Sequence, residues 1–323
     1  MLVLVLVNLA ALVGQYVVYG TVYIDGRPVG LYQRVPGRTR LQPDASMEGT
    51  RYAVHIGPMG FRAPNPDLSS PNPVTRVWCM GGSTTFDIYA PNDAQAWPSR
   101  LPLLLEAALG PTEVVNAGVP GHVLAANMED FSHWAPRVRP RYVVIHQGPN
   151  ELRRVTVQPR PPSIFARFMS ILPVVSVLER SRPSLAPARL VVSPRQLTEE
   201  QLRGLRESLV GAVTAVERAG ARPVLATHAL RAAPGDVGEV ARARVAEAAG
   251  LLDLSPVASI LAFEKYNAMV AALAAERHLP LADVRAAVGP DPANWGDATH
   301  FRAPGSALAA QAIAAAILGD ARR

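Results

Sequence analysis

From Val74 to the end of the chain, two hydrophobic rhythms alternate. Short apolar runs bounded by glycine, proline or charged residues are followed by longer stretches whose apolar residues return at every third or fourth place. "VTRVWCM", "TEVVNAG", "RYVVIHQG", "RPVLATH" and "LPLADV" predict five strands. "WPSRLPLLLEAAL", "VLAANMEDFSHWAPRV", "EEQLRGLRESLVGAVTAVERAG", "SILAFEKYNAMVAALAAERH" and "PGSALAAQAIAAAIL" predict helices, the last with proline near its start. The strands lack strict alternation of apolar and polar positions, as strands covered on both faces do. The repeated order of strand and helix predicts a three-layer α/β/α sandwich around a five-stranded parallel sheet.

The pattern changes before Val74. Residues 1–24 are apolar and uncharged, broken by Asn8, Gln15 and small residues, and long enough to cross a bilayer core as a helix. They read as an N-terminal transmembrane anchor, since a basic n-region and a small-x-small cleavage site are missing; a buried strand pair is the alternative. Arg27, Arg34, Arg38 and Arg40 follow the span and favour a cytoplasmic C-terminal side, yet long domains translocate regardless of flanking charge. The expectation is an anchored protein whose main domain is exported to the extracytoplasmic side. Residues 25–73, rich in proline and glycine, read as an irregular arm, and 74–323 as one domain. Within it, 152–196 is the largest insertion, with a proline-flanked apolar run from Ile164 to Leu178. It reads either as a lid or acyl-binding element or as an ordinary packed helix. A second insertion, 239–257, reads as helical.

Composition removes several function classes. Hydrophobic residues make up 49% of the 323, enough for a large core. The net charge is +6, but the excess is almost all arginine, with Lys265 the one lysine, and no basic run interleaves with aromatics. No nucleic-acid partner is expected. The single cysteine, Cys79, lies in an apolar strand and excludes an internal disulfide. No pair of histidines has helical metal-ligand spacing, so no metal and no cofactor are expected.

In open parallel sheets, sites form at the carboxyl ends of strands. Four unusual segments stand after strands: "GGSTT" with Ser83, "NAGVPGH" with Gly121, "GPNE" with Asn150, and "GDATH" with Asp297 and His300. Alone, each has a plain reading: Ser83 as a helix cap, Gly121 as a turn, Asn150 as a turn or cap, and Asp-x-x-His as a cap beside an exposed histidine. Together they match one chemistry. A serine hydroxyl needs a base, and a histidine steered by a carboxylate supplies it. The oxyanion formed on an acyl carbon needs donors, available from the Ser83 N–H, the Gly121 N–H and the Asn150 amide. His122 and Glu151, beside these donors, are weaker candidates for substrate contact. His146 and His228, at strand ends, read as packed side chains rather than substrate contacts.

These four blocks, in this order and spacing over residues 76 to about 318, resemble those of the SGNH hydrolases, also called GDSL-type esterases and lipases. "HIGPMGFR", "AWPSRL" and "EKYNAMVAALA" are further echoes, and together they resemble a membrane-anchored or exported bacterial branch. The resemblance implies a flavodoxin-like SGNH fold, Ser83 as nucleophile, His300 as base and Asp297 as its orienter. Gly121 and Asn150 would complete the oxyanion hole with the Ser83 amide. Two positions depart from the family pattern: Gly82 stands where an aspartate usually precedes the serine, and Glu151 where an aspartate usually follows the asparagine. The expected function is hydrolysis of an acetyl or acyl ester on a cell-surface glycan or lipid. An O-acyltransferase using the same residues and a non-catalytic glycan-binding or assembly module are the alternatives.

Overall fold

The computed structural model describes residues 2–24, 27–35, 38–69, 74–157 and 195–323. The chain opens with helix α1 (Leu2–Tyr19). Val5, Leu6, Leu9, Val13 and Val17 are exposed on it, uncovered by the other described residues. Its C-terminal part is fastened to the residues that follow. Thr50 and Arg51 donate backbone N–H groups to the Val17 and Val18 carbonyls at 2.8 and 3.2 Å, and Gln15 accepts from the Tyr23 N–H at 2.8 Å. These bonds satisfy groups that a helix end leaves open.

The arm is less irregular than its composition suggests. Three antiparallel ladders occupy it: β1 (Tyr23–Ile24) with β2 (Arg27–Pro28), β3 (Tyr32–Val35) with β4 (Arg38–Leu41), and β5 (Ser46–Glu48) with β6 (Ala53–His55). Strands of two to four residues are too short to print a period-two pattern. Leu31, Leu41, Met47, Val54 and Ile56 nevertheless bury themselves in a small core of their own, which also takes in Phe86 and Val119.

The central sheet holds β7 (Thr75–Gly81), β8 (Thr112–Gly118), β9 (Tyr142–His146), β10 (Arg222–Ala226) and β11 (Leu281–Ala282). All pairs are parallel, in the order β11-β10-β9-β7-β8. That is the doubly wound, flavodoxin-like order, whose crevice opens where the winding reverses between the first and third strands, here β7 and β9. The helices are α2 (Ser83–Phe86), α3 (Trp97–Leu109), α4 (Leu124–Val138), α5 (Pro149–Thr156), α6 (Glu199–Arg218), α7 (Gly238–Leu252), α8 (Pro256–Glu276), α9 (Val284–Val288) and α10 (Ala303–Ala321). Side chains alternate across β7: Trp78 and Met80 join the core beneath α4, α6, α7 and α8, while Val77 and Cys79 join the core beneath α3 and α10. Both faces are apolar, which is why no alternation shows in the sequence. Helix α8 is long and apolar enough to cross a membrane by composition, but its Phe263, Val270 and Leu273 lie in the core. Of the insertion read at 152–196, residues 158–194 lie outside the described residues. Its start is the end of α5, and the 239–257 insertion contains α7.

Candidate active site

Ser83 is the first residue of α2, separated from the end of strand β7 by Gly82 alone. As the first helical residue it has a backbone N–H with no intrahelical acceptor. The glycines before it are there for close approach rather than for a left-handed turn. Gly82 has φ −91°, and a Cβ on it would stand 2.5 Å from the Asn150 Nδ2. Asn150, in the first turn of α5 after β9, therefore lies against Gly82, beside Ser83. Its amide donates one hydrogen bond to the His122 carbonyl at 2.9 Å, and it has a second N–H to offer.

Gly121 follows β8 in the turn Val119–Pro120–Gly121–His122, closed by the His122 N–H on the Val119 carbonyl at 3.0 Å. Proline second and a φ of +84° at the third position make this a type II turn, which requires glycine there. Apart from its chain neighbours, none of the described residues has a heavy atom within 4 Å of where a Cβ on Gly121 would sit.

His300 arrives by a longer route than its sequence position implies. Between β11 and His300 come α9 and a single 3-10 turn, Pro292–Asn294. The loop carrying it is closed by a bridge between Trp295 and Phe301 and by the Gly296 N–H on the His300 carbonyl at 2.9 Å. Asp297 Oδ1 accepts the backbone N–H groups of Thr299 and His300 at 2.8 and 2.9 Å. Its Oδ2 is left to accept the His300 Nδ1–H at 2.7 Å. With that proton fixed on Nδ1, Nε2 carries the lone pair, and the Ser83 hydroxyl donates to it at 2.7 Å. Glu247 supports the same loop by accepting the Ala298 N–H at 3.2 Å.

The electrostatics follow this geometry. Burial alone would raise the Asp297 carboxyl, but the His300 ring and the two backbone donors outweigh it and hold it at about 2. Burial alone would lower His300, but the Asp297 charge and hydrogen bond leave it above its ordinary value. The ring is therefore a stronger base than free imidazole. Nearby, burial pushes the Asp87 carboxyl up to about 6, against the Ser306 hydroxyl, the Trp97 N–H and the Arg62 charge. Such an arrangement can take a proton from a serine, store it beside a carboxylate, and return it to a leaving group.

Two of the weaker candidates are engaged within the protein. His122 does not face the site: it is 5% exposed, and its ring donates from Nε2 to the Thr39 carbonyl of the arm at 2.6 Å. Glu151 is also buried, and its carboxylate accepts the Leu124 N–H at 2.6 Å, capping the start of α4, with Arg154 at 3.2 Å. A carboxylate at a helix start is favoured by the free N–H groups there, and that demand holds the Glu151 carboxylate against α4. His146 and His228 are fully buried and stacked at 5.1 Å, and burial holds His146 down at about 4 and His228 further below the usual imidazole range. Among the described residues, no cluster of three or more His, Cys, Asp or Glu forms that could hold a metal. Sequence reasoning passed over Arg62 and Asp87. The "HIGPMGFR" stretch flagged the first only as an echo, and nothing local marked the second.

Residues 79–308 match the model of the GDSL-like lipase/acylhydrolase family. No curated protein matches the chain. Among solved structures, it is similar to an acetylxylan esterase from Geobacillus stearothermophilus (15% identity, 75% of this chain and 94% of that one, TM-score 0.45). It is also similar to a member of the lipolytic G-D-S-L family from Veillonella parvula (13%, 74% and 95%, 0.45) and to a GDSL-like lipase from Bacteroides thetaiotaomicron (12%, 76% and 89%, 0.44). On the family match over most of its length, the chain belongs to the GDSL-like lipase/acylhydrolase family and is a hydrolase acting on ester bonds.

Proposed function

We propose that the protein is a serine esterase that cleaves a carboxylic ester through Ser83, His300 and Asp297. The observation that carries this reading is the continuous path from Ser83 Oγ to His300 to Asp297, 2.7 Å at each link, at the carboxyl edge of the sheet. Ser83 Oγ attacks the acyl carbon while its proton passes to His300 Nε2. The tetrahedral oxyanion is held by the N–H groups of Ser83 and Gly121 and the amide of Asn150. Collapse breaks the ester C–O bond, and His300 gives its proton to the departing alcohol. Water then attacks the acyl-enzyme, again through His300, and the acid leaves with Ser83 restored. The acyl group is acetyl or longer, borne on a cell-surface glycan or a lipid. The 74–323 segment is the hydrolase domain.

A serine-directed fluorophosphonate probe and p-nitrophenyl esters of graded chain length test this. Wild type labels and turns over, and Ser83→Ala does neither. Equal labelling of both, or none of either, removes the reading. Product analysis with a glycan acceptor separates transfer to water from transfer to a sugar hydroxyl.

Helix α1 serves as a membrane anchor, with the hydrolase domain on the extracytoplasmic side. Its 18 residues span about 27 Å at 1.5 Å each, close to the ~30 Å hydrocarbon core. Its exposed apolar side chains support this reading. The full chain should float with liposomes and be protease-accessible on intact cells. A chain that stays with the soluble fraction refutes the anchor, and one shielded in intact cells refutes the orientation.

A further inference from the structure

We propose that the arm before the sheet belongs to the catalytic machinery: it braces the Ser83 helix and the Gly121 turn against each other, with Arg62 as the positioning residue. This rests on the reading of Ser83 as nucleophile.

Helix α2 is a single turn of four residues, too short to hold itself. Its C-terminal carbonyls need donors from elsewhere. Arg62 supplies them from the arm. Its Nη1 donates to the Phe86 and Asp87 carbonyls at 2.9 and 2.8 Å, its Nη2 to the Ala90 carbonyl at 3.3 Å, and its Nε to Asp93 Oδ1 at 2.8 Å. The guanidinium also lies 5.1 Å from the centre of the Phe86 ring. The residue is 0% exposed. A buried cation persists only when paired and hydrogen-bonded, and here a carboxylate and three carbonyls meet it. A positive charge at a helix C-terminus is itself favourable. The planar fork reaches acceptors in several directions at once, which an ammonium on a flexible stem cannot do equally.

Movement at this grip reaches Ser83 directly. The Ser83 carbonyl accepts the N–H groups of Asp87 and Ile88 at 2.9 and 3.3 Å, the residues beside the carbonyls Arg62 holds. Arg62 is itself fixed. Its backbone bridges Ile56 of the arm and Asn116 of β8, and Asp93 is held in turn by the His55 backbone and ring at 3.1 and 2.7 Å.

The same arm grips the Gly121 turn. Val119, its first residue, shares the arm's apolar core with Phe86, the last residue of α2. His122, its last residue, donates to Thr39, and Arg40 pairs with Asp130 of α4 at 3.1 Å. The N–H groups of Ser83 and Gly121 must converge on one oxyanion. The elements carrying both are fastened to one segment that lies outside the sheet and outside the family match.

The test is kinetic and uses the full chain. Arg62→Met removes the donors while keeping an apolar stem. It should lower kcat on p-nitrophenyl acetate by about 10- to 100-fold, since a displacement near 1 Å is that damaging to aligned groups, with KM within about threefold because the open face of the site is untouched. Arg62→Lys should restore part of kcat. Arg222→Met, which breaks the Arg222 pair with Asp320 at the opposite end of the sheet, is the stability control and should lose melting temperature without losing kcat. The proposal is overturned if folded Arg62→Met keeps wild-type kcat, or if Arg222→Met loses kcat in the same proportion. Should Arg62→Met not fold, Arg62→Lys decides: reduced kcat at unchanged KM supports the brace, and wild-type kcat overturns it. Wild-type labelling that disappears in Ser83→Ala establishes the nucleophile separately, so a failure at Arg62 then counts against the brace alone. Absence of that labelling removes both.

Discussion

Gly82→Ala should disable the enzyme while leaving its fold nearly intact. The added methyl would lie 2.5 Å from Asn150 Nδ2, 3.5 Å from the His122 carbonyl and 3.7 Å from Asn150 Cγ. Comfortable contacts of this kind are about 3.5–4.0 Å, so the amide has to retreat by roughly 1 Å. The φ of Gly82, −91°, is not a left-handed one that glycine alone favours. The Asn150 amide is the end of a flexible side chain, so the strain relaxes by moving it rather than by unfolding. Stability should fall by about 1 kcal/mol for the bond to the His122 carbonyl, a loss of about 2–4 °C in a domain of this size. Activity should fall much further. Loss of one oxyanion donor lowers kcat by about 10²–10³-fold, or ~2.7–4 kcal/mol. Kinetics on p-nitrophenyl acetate and thermal melts of Gly82→Ala, Asn150→Ala and the double variant measure both. If Gly82 acts by leaving room for the amide, the double variant is no worse than Asn150→Ala. Independent losses would instead multiply, to roughly 10⁴-fold or more. A multiplied loss, or a Gly82→Ala enzyme with wild-type kcat, would refute the reasoning that Gly82 works by leaving room for the Asn150 amide.

Two further outcomes follow from the charges. In the proposed mechanism the neutral form of His300 is the base, and Asp297 raises its pKa against the lowering effect of burial, so the acid limb of kcat/KM should have its midpoint above 6.5. In Asp297→Asn, kcat should drop by about 10³-fold or more and the limb should move to lower pH; an unmoved limb would show that this carboxylate does not set the base. His55 is raised above 6.5 by its hydrogen bonds to Asp93 and Glu48. Its contribution to stability is therefore full below the unfolded pKa and fades as pH climbs through the folded one. His55→Gln should lower the melting temperature at about pH 5.5 and leave it near wild type at about pH 9, and a loss of equal size at both would show that ring charge is irrelevant there.

Much of the architecture was legible because it is written locally. A strand buried on both faces shows as a short apolar run, a surface helix as a repeat near 3.6, and a chain reversal as glycine or proline. Those signals were enough for five strands, the helices between them, and four polar segments at one edge of the sheet. The type II turn at Gly121 was readable in the same way, since proline followed by glycine states its own dihedral angles. The arm's ladders, at two to four residues a strand, were too short to leave such a signal.

What the amino-acid order could not settle is which way a polar side chain turns once the chain has folded. His122 and Glu151 stand beside Gly121 and Asn150 in sequence, yet one bonds to Thr39 and the other caps α4. Arg62, in a segment without regular rhythm, proves to be completely buried beneath the Ser83 helix. Ser83 and His300 are 217 positions apart and meet at 2.7 Å. Periodicity reports the environment of a face, which is shared by neighbours along an element. A hydrogen-bond partner is chosen by groups from distant parts of the chain that must satisfy one another in the same buried space, and only the tertiary structure brings those groups together.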